Sequence, residues 1–211
     1  GTGNSVYISR EDLSKGETAF ILITDTVDYR MEGCMADSVI YNKAQLKAFL
    51  DEIANSPASQ NIMQGKYYAL GADINLSKSE LDYDQKYNLP VIAWDRVFAG
   101  TFDGRGYTIS NAVVAYGLFN YIGGTVKNLS LIEAEANLAN GRGGFVDALV
   151  LSTGTVENIY IDGTKVMVDG QNGGIVYGVE GTVRNCIAKF EYDLFNAQYA
   201  YGAVAYAMSA T

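Results

Sequence analysis

Between residues 100 and 211 apolar side chains fall in short alternating runs broken by glycine, and no dozen-residue window shows helical spacing. Short strands joined by tight turns are therefore predicted. Val126, Leu129 and Leu131 are expected to face one interior, but strict alternation would turn Leu129 outward. The three-residue step places a corner at Asn128, a residue type that tolerates the left-handed backbone region. The pattern recurs. Gly-Thr-Val triplets begin at 124, 154 and 181 and glycine-hydrophobe pairs at 117, 144, 174 and 202, one supersecondary unit every 27 to 30 residues. The Thr-(Val/Ile)-x-Asn corner gives Asn111, Asn128, Asn158 and Asn185. Stacked in one column and buried, their amides would bond one another, since each offers donors and an acceptor.

The pattern changes before the repeats. Thr18–Thr24 has strand character, and Asn42 with Gln45 three residues on opens a predicted helix over 43–54. Its stripe of Leu46, Phe49, Leu50 and Ile53 must bury against something, whereas its polar face mixes Lys43 and Lys47 with Asp51 and Glu52, unlike a basic membrane-surface helix. Residues 1–60 are read as an N-terminal cap whose helix lies across the end of the coil, and 61–211 as the repeats, all one continuous body. Residues 77–97 form a polar excursion carrying Glu80, Asp82, Tyr83, Asp84, Tyr87 and the single tryptophan, Trp94.

Phe98-x-Gly100-Thr101-Phe102-Asp103-Gly104-x-Gly106-Tyr107-Thr108-Ile109-Ser110-Asn111, then Gly117-Leu118-Phe119 and Gly124-Thr125-Val126-Lys127-Asn128-Leu129, resembles the GLUG-type repeats of bacterial extracellular proteins. Such repeats also occur in the non-catalytic N-terminal part of some immunoglobulin A-cleaving metallopeptidases. The likeness covers about residues 65–211, with Tyr68–Leu76 as the first strand; Asn120 stands where the pattern has glycine, and the copies at 144–147 and 174–177 are looser. It implies an all-β solenoid, a right-handed parallel β-helix, in a secreted or cell-surface setting.

Composition narrows function mostly by exclusion. A net charge of −9 without a lysine and arginine cluster removes the attraction that nucleic acid binding needs. No apolar run reaches membrane-spanning length. The chain has no histidine, which excludes the commonest general base, the Ser-His and Cys-His nucleophile pairs and the usual zinc sites. Asp103 is the most suggestive remaining acid, yet Asp103-Gly104-Arg105-Gly106 reads first as a turn. No catalytic residue, metal site or cofactor is assigned. Glu80-Leu81-Asp82-Tyr83-Asp84 lacks the glycine and terminal glutamate of a calcium loop and reads as a solvated acidic loop. Tyr83, Tyr87 and Trp94 are the candidate ligand-binding residues, able to stack on sugar rings, although Trp94 beside Ile92 and Ala93 also fits a core strand.

Cys186 takes the inward slot of Leu129 and Ile159, as a small hydrophobe, and Cys34 is too distant in the repeat order to favour a disulfide. No signal peptide is visible in the sequence, whose Gly1-Thr2-Gly3 start resembles a processed form, so export is expected from the resemblance alone. Tyr201–Thr211 opens another repeat at Gly202-Ala203-Val204 that stops before its Gly-Thr-Val. That predicts either further repeats or an end-to-end homodimer covering the last strands. The expected function is a non-catalytic extracellular module for adhesion, binding glycans or host and cell-surface proteins; the alternative is a polysaccharide lyase or glycoside hydrolase on the same scaffold.

Overall fold

The computed structural model describes residues 36–144, 146–172, 175–189, 192–193 and 205–208. Thr18–Thr24, Cys34 and Gly202-Ala203-Val204 lie outside them. The described chain is β-rich, its strands gathered into two parallel sheets, with one α-helix among the described residues. The chain visits both sheets in turn. A first pass runs β1 (Ser38–Ile40), helix α1 (Lys43–Asn55) and β2 (Ser59–Ile62); the second runs β3 (Tyr67–Leu70), β4 (Ile74–Asn75) and β5 (Arg96–Phe98). Next come β6 (Thr101–Asp103), β7 (Thr108–Ser110), β8 (Val113–Val114) and β9 (Tyr121–Ile122), then β10 (Thr125–Gly143) with β11 (Asp147–Val150), and β12 (Thr155–Asn172) with β13 (Val176–Val179). The last pass holds β14 (Thr182–Arg184), β15 (Ile187–Lys189), β16 (Tyr192–Asp193) and β17 (Ala205–Met208). One sheet is ordered β1-β3-β6-β10-β12-β14 and the other β2-β5-β9-β11-β13-β17.

Register explains the repeated sequence. Phe102 pairs with Val126, Val126 with Val156 and Val156 with Val183, while Leu129 pairs with Ile159 and Leu131 with Ile161. These positions share the interior, and Val126, Leu129, Leu131, Val156, Ile159 and Ile161 are all buried. Between the two runs the backbone turns at Asn128, Asn158 and Asn185, whose φ values are 54°, 54° and 53°. The glycine of each Gly-Thr-Val triplet has a separate cause. A Cβ on Gly124, Gly154 or Gly181 would collide with the carbonyl oxygen of Gly100, Ile122 or Leu151 in the preceding pass. Only glycine lets successive passes approach that closely.

The single asparagine column expected from sequence is corrected in two respects. Thr108 lies beside Ser130 and Ile109 beside Leu131, so Asn111 falls level with Glu133 at the following corner and not with Asn128. The same local motif thus serves two corners, and Asn111 (φ 60°) and Glu133 (φ 54°) share the second. Burial also differs: Asn128 is half-buried, while Asn158 and Asn185 are exposed, because the corners lie at the outer rim of the pass.

The helix is threaded within the first pass, between a strand of each sheet. Asn42 caps it by accepting from the Gln45 N–H at 3.0 Å, and Gln45 returns an oxygen to the Tyr41 N–H at 2.7 Å. Leu46, Phe49, Leu50 and Ile53 are buried as the stripe predicts. Phe49 joins an aromatic cluster with Tyr68, Phe98, Phe102 and Phe119, at centroid distances of 4.7, 6.0, 5.4 and 6.2 Å. This plugs the interior at the first passes with rings from both sheets.

Candidate functional site

Residues 77–97 form a strap fastened to α1. Lys43 pairs with Glu80 at 2.7 Å, Lys47 with Asp82, and the Tyr83 hydroxyl donates to Asp51 at 3.0 Å. Two of the three carboxylates of the acidic loop, Glu80 and Asp82, are therefore paired with helix lysines while staying about half exposed to solvent. At its tip Asp84 and Gln85 hold φ of 51° and 54°, closing a turn that pairs Tyr83 with Tyr87.

Deeper in, Asn88 is 1% exposed. Its amide donates to the carbonyls of Ser77 (3.0 Å) and Asn111 (2.7 Å), and its oxygen accepts from the Val113 N–H (2.8 Å). Sequence reasoning passed over Asn88, because nothing local distinguishes it from a surface-turn asparagine.

The three aromatic candidates separate. Tyr83 and Tyr87 come together in a small apolar cluster with Val113, Ala115, Val91 and Tyr116. Tyr87 is buried, and the Tyr83 ring carries the Lys47 ammonium 5.9 Å from its centroid. Burial, then the bond to Asp51, pushes the Tyr83 phenol well above its ordinary range; burial likewise raises Tyr87. Tyr87 is thus packed into the base of the strap, while Tyr83 stays half-buried. Trp94 corrects the core-strand expectation: it is 70% exposed on the turn closed by the Arg96 N–H on the Ala93 carbonyl at 3.1 Å. Strand β5 starts only at Arg96, so the apolar Ile92-Ala93 run before Trp94 is irregular chain leading into the turn, and of the two only Ile92 is buried.

The outward face of the first sheet collects charge. Asp103, Lys127, Glu157 and Arg184 are successive neighbours on four strands. Asp103, 4% exposed, accepts from the Tyr67 hydroxyl, the Arg105 N–H (2.8 Å) and the Asn128 amide (3.0 Å). Asn158 in turn donates to Asn128 at 2.9 Å, and separately Asn111 donates to Asn75 at 2.7 Å. Glu157 is held by Arg184 at 2.6 Å. Asp103 thus sits at the foot of the amide chain as its acceptor, with the Lys127 ammonium 5.8 Å from the Tyr67 ring centroid.

Cys186 is a free, half-buried thiol in register with Leu129 and Ile159, and burial raises its pKa, so it is a poor nucleophile at neutral pH.

A concavity of about 470 Å³ opens beside α1, a feature no sequence motif marks. Its floor is Ile40, Phe49 and Tyr68; Gln45, Ala48 and Glu52 form the helical wall, with Asp37 and Lys66 opposite. Asp37 accepts from the Tyr67 N–H (2.7 Å) and from Lys66 (3.1 Å), and these two bonds hold its carboxyl below the usual range. Burial, then the charges of Glu52 and Asp37, raises the Tyr68 phenol. Among the described residues Glu52 has no ion-pair partner.

No family model matches the chain, and no solved structure matches it. Over 132 residues it is 39% identical to halomucin of Haloquadratum walsbyi, a match taking in 54% of this chain and 1% of that protein. The chain therefore corresponds to a small part of that relative's length.

Proposed function

We propose that this chain is a non-catalytic extracellular module, a right-handed parallel β-helix of GLUG-type repeats, that serves adhesion by binding glycans or cell-surface proteins. The β-helix reading is supported by the repeated return of the chain between two parallel sheets, with the Gly-Thr-Val segments of successive passes in register. The extracellular setting is supported by the likeness to halomucin. Of the expected cap over residues 1–60, residues 1–35 lie outside the described residues, and the reading rests on α1 closing the first pass over the Phe49 cluster.

The observation that carries the binding reading is the committed state of the acids. Asp103, Glu157, Glu80 and Asp82 each have a partner that fixes the scaffold, which leaves them ill placed as proton donors or acceptors. A carbohydrate-active enzyme is the second reading, favoured by the Asp103, Lys127, Glu157 and Arg184 column on one sheet face. A glycan-array screen beside a polysaccharide-depolymerisation assay separates them. Binding without new chain ends supports the module; release of fragments that Asp103→Asn abolishes overturns it.

A further inference from the structure

We propose that the concavity between α1, β1 and β3 is the glycan-binding subsite, and that it takes one uncharged hexopyranose unit. This rests on the glycan-binding reading above and assigns it a place. The volume of about 470 Å³ falls within the roughly 300–1,000 Å³ of small-ligand sites. Its chemistry has the division a pyranose has, with an apolar surface between polar ends. Gln45, Ala48 and Glu52 lie along one side of α1, so the Ala48 methyl stands between an amide and a carboxylate.

The two polar ends have unlike roles. The Gln45 oxygen is occupied by the Tyr41 N–H, which leaves its NH₂ as donor, while Glu52 is acceptor-only. Ring hydroxyls satisfy both, because each donates and accepts. The half-buried Tyr68 ring, tilted on Phe49 at 4.7 Å, supplies the flat surface for the C–H face of the sugar. An aliphatic ligand would desolvate Glu52 and Gln45 without partners. An anionic sugar would face the Glu52 carboxylate and a chain of net charge −9. The opposite carboxylate, Asp37, is already neutralised by Lys66, so it orders the far wall without attracting a cation.

The test uses the whole chain and saturation-transfer NMR with the methyl pyranosides of glucose, galactose and mannose, N-acetylglucosamine, and glucuronate as the anionic comparison. At least one neutral sugar is expected to bind, with glucuronate at least tenfold weaker. Ala48→Trp fills the concavity from an exposed helix position and abolishes the signal; Glu52→Gln weakens it at least tenfold. Both variants are expected to melt with the parent protein. If Ala48→Trp and Glu52→Gln still bind the sugar like the parent, the subsite assignment is wrong while glycan binding stands. A chain that binds neither these sugars nor any glycan on the array defeats the reading and the subsite together. Glucuronate binding as tightly as the neutral sugars overturns the charge argument.

Discussion

Asn158 separates two roles that a corner residue combines. Its backbone holds φ 54° and its amide donates to Asn128 at 2.9 Å, yet the side chain is exposed. Asn158→Ala should cost about 1–2 kcal/mol, chiefly from placing a Cβ residue without local hydrogen bonding in the left-handed region. Asn158→Gly should recover most of that loss, because glycine adopts this φ freely. Equal melting temperatures for the two variants would show that the amide bond, and not the backbone, sets the cost. Titration gives a second expectation at this scale. The Tyr83 phenol is raised in the folded state, so the stability it contributes is complete below the ordinary phenol range near 10 and is lost as pH climbs above it. Tyr68 and Tyr87 shift the same way, and the fold should weaken above about pH 10. Following the tyrosine ring carbons by NMR, Tyr83 should titrate last of the three, and Asp51→Asn should bring it down; a Tyr83 that titrates with the exposed tyrosines refutes the fastening of strap to helix.

At the scale of elements, the Gly-Thr-Val triplet is a statement about stacking. Gly154→Ala would push a methyl against the Ile122 carbonyl oxygen and should destabilise by about 1–3 kcal/mol, the usual range for overpacking, whereas the same change at exposed Gly65 meets no atom and costs only the strain of its φ of 73°. Chemical denaturation of the two variants reads the difference. The triplet's spacing was legible because every pass repeats the same backbone collision, and the helix because its apolar stripe and its cap are both local signals. Asn111 was misplaced in the first corner because a corner motif records a local bend and not which corner it serves; only the pairing of Ile109 with Leu131 decides that. Trp94 looked like strand interior because the apolar residues beside it imitate one, while the Ala93–Arg96 turn has no glycine or proline to announce it. The concavity and Asn88 left no signal at all, since both arise from segments brought together across the strap, the helix and different passes.

Across the whole molecule, burial of equivalent inward positions falls at the last described pass. Val126 and Val156, Leu129 and Ile159, and Leu131 and Ile161 are 0–1% exposed, but their successors Val183, Cys186 and Ala188 are only partly buried. Among the described residues each strand of the repeats pairs only with strands of adjacent passes, so local stability should follow the same gradient. Amide exchange is expected to be slowest in β10 and β12 and markedly faster in β14 and β15, where hydrogen-bond pairing runs to one side among the described residues. The experiment also tests the end-to-end homodimer. A second copy covering β14 and β15 would slow exchange there as protein concentration rises, in step with the mass seen by light scattering, and would leave β10 unchanged. Exchange in β14 and β15 that is independent of concentration, with a monomer mass throughout, rules that contact out; uniform protection from β6 to β15 would instead mean that the passes open together and that the pass-by-pass picture of stability is wrong.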